Sequence, residues 1–295
     1  MCRVGFFSTL WKKIFTKLNM KHIYKKWISL SPGSLRSFLE KQLFILILSL
    51  TPIIYCFQMI VFYPKLVPIL NAGPIQQFVH IVLATLCLIN VCGNLIMCVG
   101  TDFIIRQISG DVRYCEPCKK PRPAASMHCT KCNNCVLQRD HHCMFLAKCI
   151  GSHNKRYYLL FLFHVVVSMA YATIYNFLYI RSIYGGTFIA LSYIARLFNP
   201  IVWLTMMEPF GSKDLITLYI FLNIIIAIWA GILLLYHFGN AAMGVTCYQS
   251  KYSPDLSNLK KWKENLLAVF GINWYLAVLC PFSPSPLPQN IKKNV

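Results

Sequence analysis

CEPCKKPRPAASMHCTKCNNCVLQRDHHCMFLAKC, residues 115–149, holds seven of the fourteen cysteines and three of the eight histidines of the chain. The pattern is Cys115-x2-Cys118, then His128-Cys129-x2-Cys132-x2-Cys135, then Asp140-His141-His142-Cys143, then Cys149. Two residues between thiolates let one tight turn present both to a tetrahedral ion, which is the ligand spacing of zinc ribbons. Two closed sites need eight ligands, and these seven cysteines and three histidines are two more than that. The surplus can be a thiol and an imidazole lying close together, as a thiol nucleophile and its base require. A stretch this polar cannot build a dense apolar core, so metal binding is expected to fold it.

Outside this stretch the chain is apolar. Its 295 residues are 57% hydrophobic and 13% charged, against roughly 25% charged in a soluble domain, and the mean hydropathy is +0.53. That composition belongs to a polytopic membrane protein. The net charge of +20 then reads as topogenic charge and attraction to anionic lipid. A nucleic-acid ribbon is excluded, because the cluster is tethered between spans and is not itself strongly basic. The start, MCRVGFFSTLWKKIFTK, has no compact apolar core followed by a small-residue cleavage site, so no removable signal peptide is expected.

Residues 1–42 carry nine Lys/Arg and one acid, Glu40, interleaved with aromatic residues. They form either a basic amphipathic segment on an anionic membrane face or a loosely ordered tail. Residues 43–63 are the first expected span, 76–99 the second, with His80 as an interfacial residue, 158–180 the third and 215–237 the fourth. Residues 100–157 are the polar insert that contains the cluster. Residues 181–214 form a lumenal loop whose apolar stretch, 186–207, is interrupted by Arg196, Asn199 and Pro200. That stretch reads as interfacial or re-entrant, or as a further span. Lys/Arg number nine before the first span, one, ten and three in the successive connections, and six after the fourth span. The bias puts both termini and the insert in the cytosol, and four spans satisfy that parity where five do not. The fold class is thus an α-helical polytopic membrane protein with a cytosolic cysteine-rich domain between spans two and three. In the cytosolic tail, 238–295, a broken amphipathic helix is expected to dock on the insert or at the membrane surface. The end, Lys292-Lys293-Asn294-Val295, has the form of a dilysine signal for retrieval to the endoplasmic reticulum, or is a solvated charged end.

In the reducing cytosol the clustered cysteines are thiolate ligands rather than disulfides. Asp140-His141-His142-Cys143 admits two readings. An imidazole raises the thiolate fraction of a neighbouring cysteine, and a carboxylate can fix the tautomer of that imidazole. Alternatively, all four are zinc ligands or their immediate supports.

The whole pattern, with the five-residue gap to Cys149 and then Gly151 and Asn154, resembles the cysteine-rich domain of DHHC protein S-acyltransferases, tightly over about Cys115 to Tyr158. The resemblance implies one zinc on Cys115, Cys118, His128 and Cys135 and another on Cys129, Cys132, His142 and Cys149, both structural. It implies Cys143 as nucleophile, His141 as base and Asp140 as its orienting partner. Cys143 would take a long-chain acyl group, palmitoyl above all, from acyl-CoA and pass it to cysteines of substrate proteins at the cytosolic membrane face. The acyl chain would run between the spans, and Arg139, Lys148, Lys155 or Arg156 could meet the CoA phosphates. Residence in the endoplasmic reticulum or Golgi is expected. The chain departs from the family pattern at several places: Met144-Phe145 in place of Pro-Trp, Lys148 in place of Asn, Ala125 in place of Arg, and Gly100-Thr101-Asp102 for Asp-Pro-Gly. Thr246-Cys247-Tyr248-Gln249 stands for the Thr-Thr-x-Glu box, and Asn265 with Val269-Phe270-Gly271 resembles a C-terminal Asn-aromatic motif. A different class of function, a catalytically weak membrane zinc-ribbon scaffold or trafficking adaptor, fits the same ligands with altered flanks.

Overall fold

Lipid offers no hydrogen bonds to the backbone, so long apolar runs fold as helices that satisfy their own amides. The computed structural model describes residues 35–101, 111–185, 212–252 and 261–288. Among them four helical stretches are long and apolar enough to cross a membrane: Ser37–Ile69, Pro74–Gly100, Lys155–Ser182 and Ile216–Ala242. The first is built from α1 (Leu35–Phe57), a π-helical segment at Gln58–Phe62 and α2 (Tyr63–Ile69). Then come α3 (Pro74–Gly100), six short strands, α4 (Lys155–Tyr184) and α5 (Ser212–Ala242), followed by α6 (Cys247–Tyr252), α7 (Trp262–Phe270) and α8 (Trp274–Leu279). A cysteine- and histidine-rich domain between the second and third membrane helices is the architecture expected from the sequence. The segment 1–34, Asp102, the 186–207 stretch and the Lys292-Lys293 end lie outside the described residues.

The chain divides into two compact units, and one of them comprises Ser49–Val91 and Phe161–Tyr236. Its core gathers Phe62, Leu66, Tyr179, Ile180, Ile216 and Ile220. Polar side chains within it bond to one another, as low-dielectric surroundings demand. Gln58 Nε2 donates to Asn176 Oδ1 at 2.9 Å, and Tyr219 Oη donates to Gln58 Oε1 at 3.4 Å. His80, expected at the membrane interface, is buried here, stacked 4.0 Å from Tyr63 with Nδ1 2.6 Å from Tyr171 Oη.

The other unit comprises Met1–Leu48, Cys92–Leu160 and His237–Val295. Its strands form three antiparallel hairpins: β1 (Val112–Cys115) with β2 (Lys120–Pro123), β3 (Ser126–Cys129) with β4 (Asn134–Leu137), and β5 (His141–Cys143) with β6 (Lys148–Ile150). Asn154 is fully buried and ties the last hairpin to the end of α3. Its Nδ2 donates to Cys98 O at 3.0 Å and Cys149 O at 3.1 Å, while its Oδ1 accepts the Gly151 amide at 3.0 Å. The tail meets the start of α4 and the end of α5. Arg156 Nη1 donates to Ser285 O at 3.2 Å, and Asn265 Nδ2 donates to Ala242 O, at the end of α5, at 2.8 Å. Gly271 ends α7 with φ +77°, and a Cβ there would lie 2.4 Å from Ser285 Oγ, so both the turn and the close approach require glycine.

Candidate active site and metal centres

The three hairpins share one build. Cys115 pairs with Lys120, Cys129 with Asn134 and Cys143 with Lys148, and each turn closes through a left-handed residue, Lys119, Asn133 and Ala147. In the first two turns the backbone amide of the second cysteine, Cys118 or Cys132, points at the sulfur of the first. In the third, Leu146 stands where that second cysteine would be, and the amides of Leu146 and Phe145 reach the Cys143 sulfur. The spacing repeats every fourteen residues, so that Cys115, Cys118, His128 and Cys135 map onto Cys129, Cys132, His142 and Cys149. A third copy begins at Cys143 but has Leu146, Arg156 and Phe163 at the remaining places. Cys143 therefore occupies the first-ligand place of a zinc knuckle that lacks its partners.

Eight of the other nine cysteines and histidines of the stretch, all but His141, converge on two points. Cys115, Cys118, His128 and Cys135 bring four ligand atoms within 4.8 Å of one another, and Cys129, Cys132, His142 and Cys149 do the same. The separations distinguish ligation from hydrogen bonding. Zn–S of about 2.3 Å and Zn–N of about 2.0 Å at tetrahedral angles give S···S edges of about 3.8 Å and S···N edges of about 3.5 Å. In the first group His128 Nδ1 lies 3.7 Å from Cys115 and 3.1 Å from Cys118, and Cys118 lies 3.8 Å from Cys135. In the second, His142 Nδ1 lies 3.7, 3.3 and 3.7 Å from Cys129, Cys132 and Cys149, and Cys132 lies 3.6 Å from Cys149. Burial works to lower the pKa of His142, but the thiolates of Cys129 and Cys149, with Glu40, raise it to about 10. That negative field is what a divalent cation would neutralise, so both donor sets fit zinc.

Glu40, the one acid of residues 1–42, supports the second group. It is 7% exposed, and its Oε2 lies 2.9 Å from His142 Nε2 while its Oε1 lies 3.6 Å from Lys131 Nζ. A carboxylate on Nε2–H leaves Nδ1 with the lone pair that a metal needs. Arg139 Nε donates to Cys149 Sγ at 3.5 Å, a further outer contact of the same group.

Alternation along β5 separates the adjacent histidines, since side chains at 141 and 143 project from one face and 142 from the other. His141 Nδ1 is 3.7 Å from Asp140 Oδ2, and its ring stacks on His237 at 4.7 Å and meets the edge of Tyr158 at 5.3 Å. Burial lowers its pKa, only partly offset by Asp140, so the imidazole is neutral at pH 7. Asp140 has a fully buried side chain. Burial alone would raise its pKa, but the imidazoles of His141 and His237, the Lys155 ammonium and the Cys247 amide hold it well below the usual carboxylate range. The Cys247 amide donates to Oδ1 at 2.5 Å, and His237 Nδ1 lies 3.4 Å from Oδ2. Burial pushes the Cys143 thiol up to about 11 against the pull of the Leu146 and Phe145 amides, so it is protonated at neutral pH and needs a base to react. No hydrogen bond joins Cys143 to His141 among the described residues. Such bonds are often long before substrate arrives.

The cations singled out for CoA are engaged within the chain. Lys148, 2% exposed, donates to Val99 O and to Thr101 O at the negative end of α3. Lys155, 8% exposed, donates to Val245 O at 3.4 Å and lies 3.7 Å from Asp140. Neither ammonium faces solvent, so neither is placed to meet a phosphate. The Lys148 that departs from the family pattern is thus a buried helix cap. Sequence reasoning missed His237 as well as Glu40, because neither belongs to the spaced cluster.

Comparison with known proteins points the same way. The DHHC palmitoyltransferase family profile matches residues 108–253. Probable palmitoyltransferase ZDHHC24 of Rattus norvegicus is 29% identical over 227 residues, 73% of this chain and 78% of the relative. Palmitoyltransferase ZDHHC22 of Danio rerio is 29% identical over 182 residues, 56% of this chain and 59% of the relative. Palmitoyltransferase erf2 of Schizosaccharomyces pombe is 50% identical over 60 residues, 20% of this chain and 17% of the relative. The profile match takes in both ligand groups, the Asp140–Cys143 tetrapeptide and Cys247, so that the chain carries a DHHC palmitoyltransferase domain over residues 108–253.

Proposed function

We propose that this multi-pass membrane protein is a protein S-palmitoyltransferase that works through an acyl-Cys143 intermediate. His141 accepts the Cys143 thiol proton as the sulfur attacks the thioester carbonyl of palmitoyl-CoA. The new bond is an acyl–S bond to Cys143, the bond to the CoA sulfur breaks, and the leaving thiolate takes a proton from His141. His141 then takes the thiol proton of a substrate-protein cysteine at the membrane face as that sulfur attacks the acyl-Cys143 carbonyl; the bond to the Cys143 sulfur breaks, and the departing Cys143 thiolate takes the proton back from His141. This is covalent catalysis in two displacements. Asp140 stays ionised, holds the His141 tautomer and stabilises the imidazolium that forms in each displacement.

What supports the reading is that alternation along β5 sets Cys143 and His141 on one face, while the eight remaining cysteines and histidines of the stretch gather in two other groups. Cys115, Cys118, His128 and Cys135 would hold one structural zinc, and Cys129, Cys132, His142 and Cys149 another. Bound there, the ions supply rigidity to the hairpins. Met144, 48% exposed, stands where the family has proline, and the Phe145 amide still reaches the Cys143 sulfur, so this departure leaves the thiol's support intact. The charge bias favours cytosolic termini, and residence in the endoplasmic reticulum or Golgi accords with them. The test is incubation of purified, zinc-loaded protein with a palmitoyl-CoA analogue. Hydroxylamine-labile label on Cys143 is expected; a folded, unlabelled Cys143 leaves the scaffold reading standing instead.

A further inference from the structure

Asp140, His141, His237 and Cys247 each offer one ligand atom, and these four atoms lie within 4.8 Å of one another. We propose that this cluster is a third, reversible metal site, which takes a borderline divalent ion such as Zn2+ and blocks the catalytic imidazole when filled. Hydrogen bonding does not explain the spacing. His141 Nδ1 and His237 Nδ1 lie 3.7 and 3.4 Å from Asp140 Oδ2, and Cys247 Sγ lies 3.5 Å from His237 Nδ1. N–H···O bonds close to about 2.9 Å, whereas these separations match the edges of a tetrahedron about one ion, as in the two structural groups. A second observation points to the same centre. Asp140 Oδ2 and His141 Nδ1 are fully buried and make no hydrogen bond, while Oδ1 is satisfied by the Cys247 amide.

The donor set is two imidazoles, a carboxylate and a thiol, which suits Zn2+ or Co2+. Two of the donors are anionic when bound, enough to neutralise the ion. Binding involves no redox change. The Cys247 thiol releases its proton to solvent, and each imidazole binds through Nδ1 with its ring proton carried on Nε2. The Lys155 ammonium, 3.7 Å from Asp140 Oδ2, opposes the incoming cation and favours micromolar rather than structural affinity. Cys247 is the distinctive member. The family box that it interrupts has threonine at this place, and a hydroxyl is a poor ligand beside a thiolate. Blocking follows because a metal on His141 Nδ1 ties up the ring and Asp140 that the transfer needs, a consequence that rests on the acyltransferase reading. The binding itself does not.

The experiment uses the full chain in detergent, first dialysed to two zinc ions per protein, then exposed to buffered free Zn2+. Wild type and Cys143→Ser are expected to take up a third equivalent, and Cys247→Thr and Cys247→Ser to stop at two. Co2+ added to the two-zinc protein is expected to give a sulfur-to-cobalt charge-transfer band that both Cys247 variants lack. Acylation of Cys143 is expected to fall as the third equivalent binds, with a midpoint at roughly tenfold higher free Zn2+ or more in Cys247→Thr. A wild type that stays at two equivalents, a third equivalent that survives loss of the Cys247 thiol, or acylation indifferent to the third ion each overturns the proposal. If Cys143 is never acylated, even with two ions bound, the acyltransferase reading fails, and the metal count still decides the site.

Discussion

Replacing Glu40 by alanine removes the acceptor for His142 Nε2, 2.9 Å away, some hundred residues along the chain from the ligand that it orients. The carboxylate is buried and its partner ring is 5% exposed, so water cannot replace it without opening the contact. Loss of such an outer contact lowers metal affinity by about 10- to 100-fold, which is about 1.4 to 2.8 kcal/mol. Glu40→Gln keeps an amide oxygen for the same N–H and is expected to lose less than half of that. The measurement is zinc release from the two-zinc protein during titration with a competing chelator, read by a chromogenic indicator. One of the two ions is expected to leave at about 10- to 100-fold lower chelator in Glu40→Ala, with the other unmoved, since the Glu40 carboxylate orients His142, a member of the second group. Identical midpoints in wild type and Glu40→Ala would refute the role assigned to this carboxylate. A Glu40→Gln variant as weak as alanine would show that charge, not the hydrogen bond, supports the ring.

Cys143→Ser is expected to abolish acylation and retain two zinc ions, whereas His142→Ala loses metal; mass spectrometry of the native protein counts both, and two ions in the His142 variant would reverse the assignment of the paired histidines. Asp140→Asn is expected to slow single-turnover acylation by about 10^2- to 10^4-fold with little change in acyl-CoA affinity, by analogy with loss of the orienting acid in a triad. Burial lowers the His141 pKa below 6.5, so the base form persists on acidification, and the acid limb of the acylation rate is expected below 6.5; a limb above pH 7 contradicts that environment. Asn154→Ala leaves Cys98 O, Cys149 O and the Gly151 amide unpaired in a buried site, and about 2 to 4 kcal/mol of lost stability is expected, seen as a lower thermal midpoint in detergent.

What the sequence determined alone was whatever rests on local spacing or on summed hydropathy. The interval between Cys115 and Cys118 is a property of one turn, and the apolar runs have no aqueous alternative to helices, so both could be read along the chain. The fourteen-residue period was also there to be read, but only the hairpin registers show what it means: Cys143 starts a third knuckle whose second sulfur is replaced by Leu146. Tertiary structure decided everything that depends on direction or on distant segments. Local spacing could not say which of His141 and His142 faces the metal group, because neighbours in sequence can point either way until a strand sets their alternation. Glu40 from the first membrane helix reaches His142, and His237 from the last and Cys247 beyond it reach Asp140, only because the fold brings together segments about a hundred residues apart. The fate of Lys148 was equally hidden, since a lysine in sequence is a charge seeking water, and only the fold shows the carbonyls at the end of α3 that hold it in the interior.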